Sequence, residues 1–357
     1  MLLFCDGFDR YSTIADTSAK GWVVSNQGAG SWTYQPAAGV NGGGALRIEQ
    51  DDQGAERRVR DVNPGLDYIR FAFWLKSAGT PGGEDAVFFL IDSGAILYGG
   101  AKVTNAGELS FINSTSGSPN PNSASVFISS GANLHDGNFH FIECYYKSGN
   151  GTAGAIKVKV DNNVVLDISG IDNCAGATAT MNVDVIRLYG IDTSADFDDV
   201  FVWDDEVGPG LTGELGGVRV ISTTSPNGAG ALTQLTPNTG ANYAAVDDSP
   251  FHDSDTTYVE GDTTGEKDLY TVGALPLTPV SIDCTVINAV VKTVAGAECQ
   301  AKLAMRSVSA DVDSADIAFS NSGYKTIQAA FEEDPNASAA WTESTLNAAQ
   351  IGIEMVS

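Results

Sequence analysis

Polysaccharide chemistry often needs two carboxylates around one bond, and the 45 acidic residues of this 357-residue chain make that the first arrangement to look for. In retaining glycosidases the acid and the nucleophile stand about 5–5.5 Å apart, and sandwich-fold enzymes often carry them on one strand as ExDxxE. No ExDxxE occurs here, and the nearest acidic cluster, DDVFVWDDE from Asp198 to Glu206, has a different spacing. Only three histidines exist, His135, His140 and His252, so a histidine-dependent triad has few ways to form. His140 falls on the apolar side of an alternating segment and reads as a packed core histidine. There is no GxSxG elbow and no phosphate-binding glycine motif, and Gly42–Gly44 reads as a loop. The expectation is a protein that is not an enzyme.

Two acidic stretches could offer oxygen ligands to calcium, Val246–Asp255 and the pair Asp198 and Asp199. Neither has an EF-hand spacing, and so many acids cluster by chance. No cofactor or metal site is expected. A different constellation suits sugar recognition: Tyr68, Arg70 and Trp74 on one segment, with Phe141, Glu143 and Tyr145 on another, combine aromatic planes with charge. These six form the candidate glycan face. The competing reading packs them under a loop, the second domain or a neighbouring subunit.

The elements that must position these residues follow from period-two alternation. In YIRFAFWLK, Ile69, Phe71, Phe73 and Leu75 point one way. In HFIECYYK, His140, Ile142, Cys144 and Tyr146 share a face. AIKVKVDNNVVLDI reads as a hairpin turning at Asp161–Asn163. FDDVFVWDD is apolar on both faces, with Val200 and Val202 opposite Phe201 and Trp203, and such a strand must be covered on both. Glycine-rich sequence then separates a first domain, residues 1–205, from a second at 217–357, with 206–216 as linker. Alternation resumes in KDLYTV, VSIDCTVINAVV and ECQAKLAMRS, so the second domain is also a sandwich. One short helix is expected within Trp341–Gln350, with Thr342 as N-cap.

Nineteen basic side chains against 45 acidic ones give a formal charge of −26, which repels phosphate backbones and anionic lipid. Nucleic acid and membrane are therefore not expected as partners. No segment approaches the roughly 18 apolar residues of a membrane span. The opening MLLFCDGFDRY lacks a basic n-region and a signal peptide's apolar core of roughly 7–15 residues, so synthesis in a cytoplasm is expected, with any exit by a route other than a signal peptide.

The opening DGFDRY, the order DGNFHFIECYYK to GAIKVKVDNNVVLDISG, and the closing FDDVFVWDD together resemble the concanavalin A-like, laminin-G-like jelly roll. The second half, with GGVRV, PNGAG, NYAAVDD, DTTYVEGDTTGEKDLYTV and AAWTESTLNAAQIGIEMV, is similar to virion structural proteins of tailed bacteriophages that join such a jelly roll to a C-terminal β-domain. The resemblance implies an all-β fold of two β-sandwich domains. It also implies a multi-copy virion component, tail- or fibre-associated, made in the host bacterial cytoplasm and released by lysis. Its partners would be other virion proteins, further copies of itself and a host-surface glycan. A capsid decoration protein, or a free bacterial carbohydrate-binding module or adhesin, is the alternative.

The five cysteines, Cys5, Cys144, Cys174, Cys284 and Cys299, are odd in number, widely spaced and without a CxxC. All five are predicted to be free, and thiol titration of unfolded, unreduced protein is expected to find five per chain.

Overall fold

The computed structural model describes residues 2–26, 32–48, 53–58, 68–77, 88–92, 97–104, 106–113, 125–128, 131–173, 185–190, 194–204, 211, 213–249, 252–294, 297–320 and 323–357. Cys174 and most of the expected linker, 206–210 and 212, lie outside them. The described residues from Leu2 to Trp203 form β1 (Leu2–Asp6), β2 (Trp22–Asn26), β3 (Trp32–Gln35), β4 (Ala45–Ile48), β5 (Gln53–Arg58), β6 (Tyr68–Ser77), β7 (Phe88–Asp92) and β8 (Leu97–Val103). They continue with β9 (Leu109–Asn113), β10 (Ser125–Ile128), β11 (His140–Lys147), β12 (Gly154–Val160), β13 (Asn163–Ile171), β14 (Val185–Gly190) and β15 (Ala195–Trp203). One sheet runs β13-β12-β11-β6-β15-β4-β3 with β1 beside β15, and the other runs β10-β9-β8-β7-β14-β5-β2. This is a jelly-roll sandwich.

Alternation decides which side chains fill it. Ile69, Phe71, Phe73 and Leu75 of β6 join Ile142, Cys144 and Tyr146 of β11 and Ile156 and Val158 of β12 in one buried core. From the facing sheet come Ala101, Val103, Leu109, Phe111, Ile186 and Leu188. The β12–β13 turn is the two residues Asp161 and Asn162, at φ 50° and 66°, the left-handed pair that matches the twist of a hairpin. His140 departs from expectation. It lies at the rim, with its ring nitrogens 2.8 Å from Asp161 and 3.1 Å from Asp136, because those loop carboxylates offer better partners than the apolar core.

β15 organises this half. Val200 and Val202 enter the sandwich core while Phe201 and Trp203 face outward, and Trp203 is nevertheless fully buried. One edge of β15 pairs with β6; the other is shared, Ala195–Phe197 with β4 and Val200–Trp203 with β1. A bulge falls between those two segments, with Asp199 at φ 46°. Bulges re-aim side chains, and this one turns Asp198 and Asp199 into the gap between β4 and β1.

From Pro226 onward the described strands are β16 (Pro226–Thr233), β17 (Thr236–Pro237), β18 (Val259–Glu260), β19 (Lys267–Val272), β20 (Thr285–Val291), β21 (Cys299–Ser307), β22 (Ala310–Asp313), β23 (Ile317–Phe319), β24 (Lys325–Phe331) and β25 (Gln350–Met355). The main sheet is β16-β19-β25-β21-β22 with β23 beside β21; β17–β18 and β20–β24 are separate ribbons. Buried Asp268 fixes the β16–β17 connection by accepting from the Gln234 and Leu235 amides, the Asn242 side chain and the Tyr270 hydroxyl. The expected helix is a single turn, Glu343–Asn347, capped by Thr342 in a reciprocal box with Thr345. Trp341 beside it is buried and donates to the Phe331 carbonyl.

The two sandwiches meet on the outer face of the eight-stranded sheet. Leu2, Cys5, Ala72, Phe141 and Trp203 cluster there with Leu211 and Leu215, and Cys284 and Val286 pack against them. Gln328 stands in for a neighbouring strand at the free edge of β1: its amide oxygen accepts from the Cys5 N–H at 3.3 Å and its amide nitrogen donates to the Cys5 carbonyl at 3.1 Å. Glu332 accepts from the Leu2 N–H at 2.8 Å. Trp203→Ala should destabilise the protein by about 3–5 kcal/mol, the usual cost of removing a buried aromatic. Urea unfolding followed by fluorescence and by limited proteolysis checks this, with cleavage expected first in the segment joining the sandwiches.

Candidate functional site

All six residues of the expected glycan face lie on the outer side of β6 and β11, in register: Trp74 opposite Phe141, Ala72 opposite Glu143, Arg70 opposite Tyr145. The Trp74 and Phe141 rings are 5.3 Å apart, and the Arg70 guanidinium sits 4.6 Å above the Tyr145 ring, with Tyr68 beside it. Half of this face is taken by the chain itself. The Trp74 indole donates to the Arg219 carbonyl at 2.8 Å, and the Leu215 N–H donates to Glu143 at 2.7 Å. Phe141 lies buried against Leu211 and Leu215. Lys159 bridges Glu143 and Glu214, holding the segment down. Tyr68, Arg70 and Tyr145 are half-buried at the margin of this contact.

Beneath the same seam is a group of carboxylates. Asp6, Asp198 and Asp199 are buried, and Asp9 is close by. Each is held by its own donors. Asp6 accepts from the Phe8 N–H, the Tyr11 hydroxyl at 2.5 Å and the Trp22 indole at 2.8 Å. Asp198 accepts from the Val40 and Asp199 amides, Asp9 from the Gly44 amide and the Thr223 hydroxyl, and Asp199 from the Ile221 amide. The second oxygen of Asp199 is buried without a hydrogen-bond partner. The glycines of the 39–44 loop permit this approach: a Cβ on Gly39 would stand 2.5 Å from Asp198, and one on Gly44 2.4 Å from the Phe8 carbonyl.

Burial pushes Asp198 and Asp199 up from the ordinary carboxylate range, and the Asp198 charge adds to the effect at Asp199. Burial raises Asp9 as well, against the pull of its Gly44 and Thr223 hydrogen bonds. Among the described residues no three His, Cys, Asp or Glu side chains converge as a metal-binding group. Burial favours the protonated form at Asp198 and Asp199. The arrangement is a hinge of polar contacts, since Asp9 and Asp199 both reach the segment entering the C-terminal sandwich.

The opposite, seven-stranded sheet turns a different set outward. Arg187 lies between the core residues Ile186 and Leu188, and Lys102 and Ser110 are cross-strand partners between Ala101 and Val103 and between Leu109 and Phe111. Alternation puts all three on the outer face. Arg187 stands opposite Glu56 and Leu90 in the register. Arg187 and Ser110 are buried, and the Ser110 hydroxyl has no hydrogen-bond partner. Sequence reasoning missed this face because the tyrosines and tryptophan of β6 and β11 are the louder signal. A cleft of about 1620 Å³ lies in the C-terminal sandwich and at its junction with the jelly roll.

No family model matches the sequence, and no curated protein matches it. Solved structures similar in fold include a carbohydrate esterase from the Shiga toxin-encoding bacteriophage phi24B, 14% identical, covering 57% of this chain and 97% of the other, with a TM-score of 0.38. An endo-beta-1,4-glucuronan lyase from the fungus Trichoderma reesei is 15% identical over 57% of this chain and 95% of its own, with a TM-score of 0.41. A prokaryotic beta-1,3-1,4-glucanase from a mouse hindgut metagenome is 15% identical over 56% and 97%, with a TM-score of 0.34. At such identities the likeness is one of fold. It corrects one expectation nonetheless. The expectation of a protein that is not an enzyme does not stand: the similar structures include an esterase, a lyase and a glucanase, and the missing ExDxxE spacing bears on glycosidase chemistry alone.

The buried carboxyls give a signed pH dependence. A carboxyl whose folded value lies above its unfolded one stabilises the fold at low pH, and the contribution is lost as pH climbs through the folded value. Melting temperature in chelator should therefore fall from about pH 5 to about pH 9, and Asp199→Asn should flatten that fall. Differential scanning calorimetry of both proteins across that range is the check.

Proposed function

We propose that this chain is a glycan-engaging structural protein of a tailed-phage particle, tail- or fibre-associated. Its N-terminal jelly roll meets a host-surface polysaccharide and its C-terminal sandwich makes assembly contacts with other virion proteins. The observation that carries the glycan reading is the asymmetry of the jelly roll. One outer face is covered by the chain's own C-terminal half, whereas on the other Lys102 is half-buried beside the buried Arg187 and Ser110. Convergent polar groups on a sheet face are what sugar hydroxyls require. The charge of −26 selects the polymer: polyanionic chains are repelled, so a neutral polysaccharide fits best. The phage context is supported by the sequence resemblance of the second half. Multiple copies on one particle would turn weak contacts into avidity.

Isothermal titration with neutral capsular oligosaccharides is expected to show binding that Arg187→Ala and Lys102→Ala each weaken about tenfold, roughly 1.4 kcal/mol, with melting temperature unchanged for the lysine variant. Tyr145→Ala should leave affinity intact. The reverse pattern would move the site to the Tyr68, Arg70 and Tyr145 margin. Product analysis of the same mixtures reports any turnover, and mass spectrometry of purified virions tests the particle location.

A further inference from the structure

The C-terminal sandwich has one continuous layer and one broken one. Its main sheet has six strands and is five across, but the β20–β24 ribbon that packs on it is two strands wide and shares no ladder with the β17–β18 ribbon among the described residues. The cleft of about 1620 Å³ is lined by every residue of β20 and both residues of β18. Tyr270 and Val272 of β19 and Ile351 and Ile353 of β25 also line it. Of β24, only Thr326 reaches it. The cleft therefore runs along the free edge of β20. Its volume exceeds the roughly 300–1,000 Å³ of small-molecule pockets.

That edge is unusual in this chain. β20, TVINAVV, carries no charge and no proline, and its register with β24 is unbroken from Thr285 to Val291. Proteins blunt exposed edges with charge, proline or bulges, and β20 has none of these. Two other edges of this half do: β16 begins at Pro226 and has register shifts, and β22 is ADVD. No backbone group of Val286–Val291 bonds outside the β24 ladder among the described residues. The hydroxyls of Thr285 and Thr326 are buried at the cleft without partners. Unpaired backbone groups along one apolar wall, with orphaned hydroxyls beside them, are what an added strand would satisfy.

We propose that this cleft accepts an extended strand from another protein, apolar at alternate positions and flanked by basic residues, which would complete the broken layer. Charge decides against a second copy and for a basic partner. Eight carboxylate residues line the cleft against four basic ones, and two of those four, Arg219 and Lys292, are already paired with Asp283 and Asp255. Every copy of this chain also carries −26. The inference names a partner for the assembly contact proposed above, but strand acceptance is a property of the full chain alone and is tested without any virion.

The probe is a synthetic peptide, Lys-Val-Thr-Val-Thr-Val-Thr-Val-Lys, with a control in which the central threonine is proline and so lacks its N–H. Hydrogen exchange of the full chain by mass spectrometry should show β20 amides slowed about tenfold or more by the peptide, with β12 unchanged and the control without effect. Val290→Lys, which adds a blocking charge to the edge, should abolish that protection while leaving the melting temperature within about 2 °C. Three results would each overturn the proposal: no slowing at β20 with millimolar peptide, equal slowing by the proline control, or light scattering that finds β20 already protected in a dimer. Loss of glycan binding would leave this result untouched, so the two readings fail separately.

Discussion

The outer face of the eight-stranded sheet is apolar where a sheet facing water would be polar, and most of the molecule's arrangement answers that constraint. Phe141, Ala72 and Trp203 occupy positions that alternation sends away from the jelly-roll core, and the register shift between Leu2 and Phe4 puts Leu2 with them, yet each is buried. Something has to cover them, because apolar area left in water forfeits about 25 cal/mol per Å². The cover is the chain's own continuation, Leu211 and Leu215 first and then the β20–β24 ribbon. Polar groups fix its position: Glu143 takes the Leu215 amide, Trp74 gives its indole proton to Arg219, and Gln328 pairs with Cys5. Each of these would cost free energy if buried unpaired, so the apolar contact supplies the attraction and the polar pairs select one register.

The same constraint places the carboxylates. β15 must leave β4 and take up β1 midway along its length, and the bulge at that exchange sends Asp198 and Asp199 into the junction. They meet Asp6, which ends β1, and Asp9 just after it. The cluster therefore follows from topology, and the C-terminal segment closes it with the Ile221 amide and the Thr223 hydroxyl. The donors to Asp9 and Asp199 thus come in part from the segment entering the C-terminal sandwich.

Much of this was legible from the residues. Period-two alternation located β6, β11, β12 and β15 and sorted their faces correctly, since a half-buried strand leaves no other way to place Ile69, Phe71 and Phe73. Thr342 announced its helix. The two apolar faces of FDDVFVWDD announced that both would be covered. What could not be read was which partner covers an aromatic face: Trp74 and Tyr145 look alike in sequence and both are half-buried, and only the bond from Trp74 to the Arg219 carbonyl separates the one held by the C-terminal segment from the one at its margin. His140 was misplaced because alternation says nothing about strand ends, where loop carboxylates compete for a ring. Gly39–Gly44 carried a signal as well, a concentration of glycine whose backbone had to approach Asp9 and Asp198, but sequence alone could not say to what.

The pairing of β1 with β15 also imposes an order on synthesis. Leu2 has no strand partner until Trp203 has been made, and at about 5–20 residues per second that is roughly 10–40 s after the first residues leave the ribosome. During that interval LLFCD is an unpaired apolar strand, and its other edge waits longer still, for Gln328 and Glu332. A nascent chain in this state is open to pairing with its neighbours on the same message. Spacing between ribosomes, as much as the folded protein's stability, then governs how much of it reaches the native state.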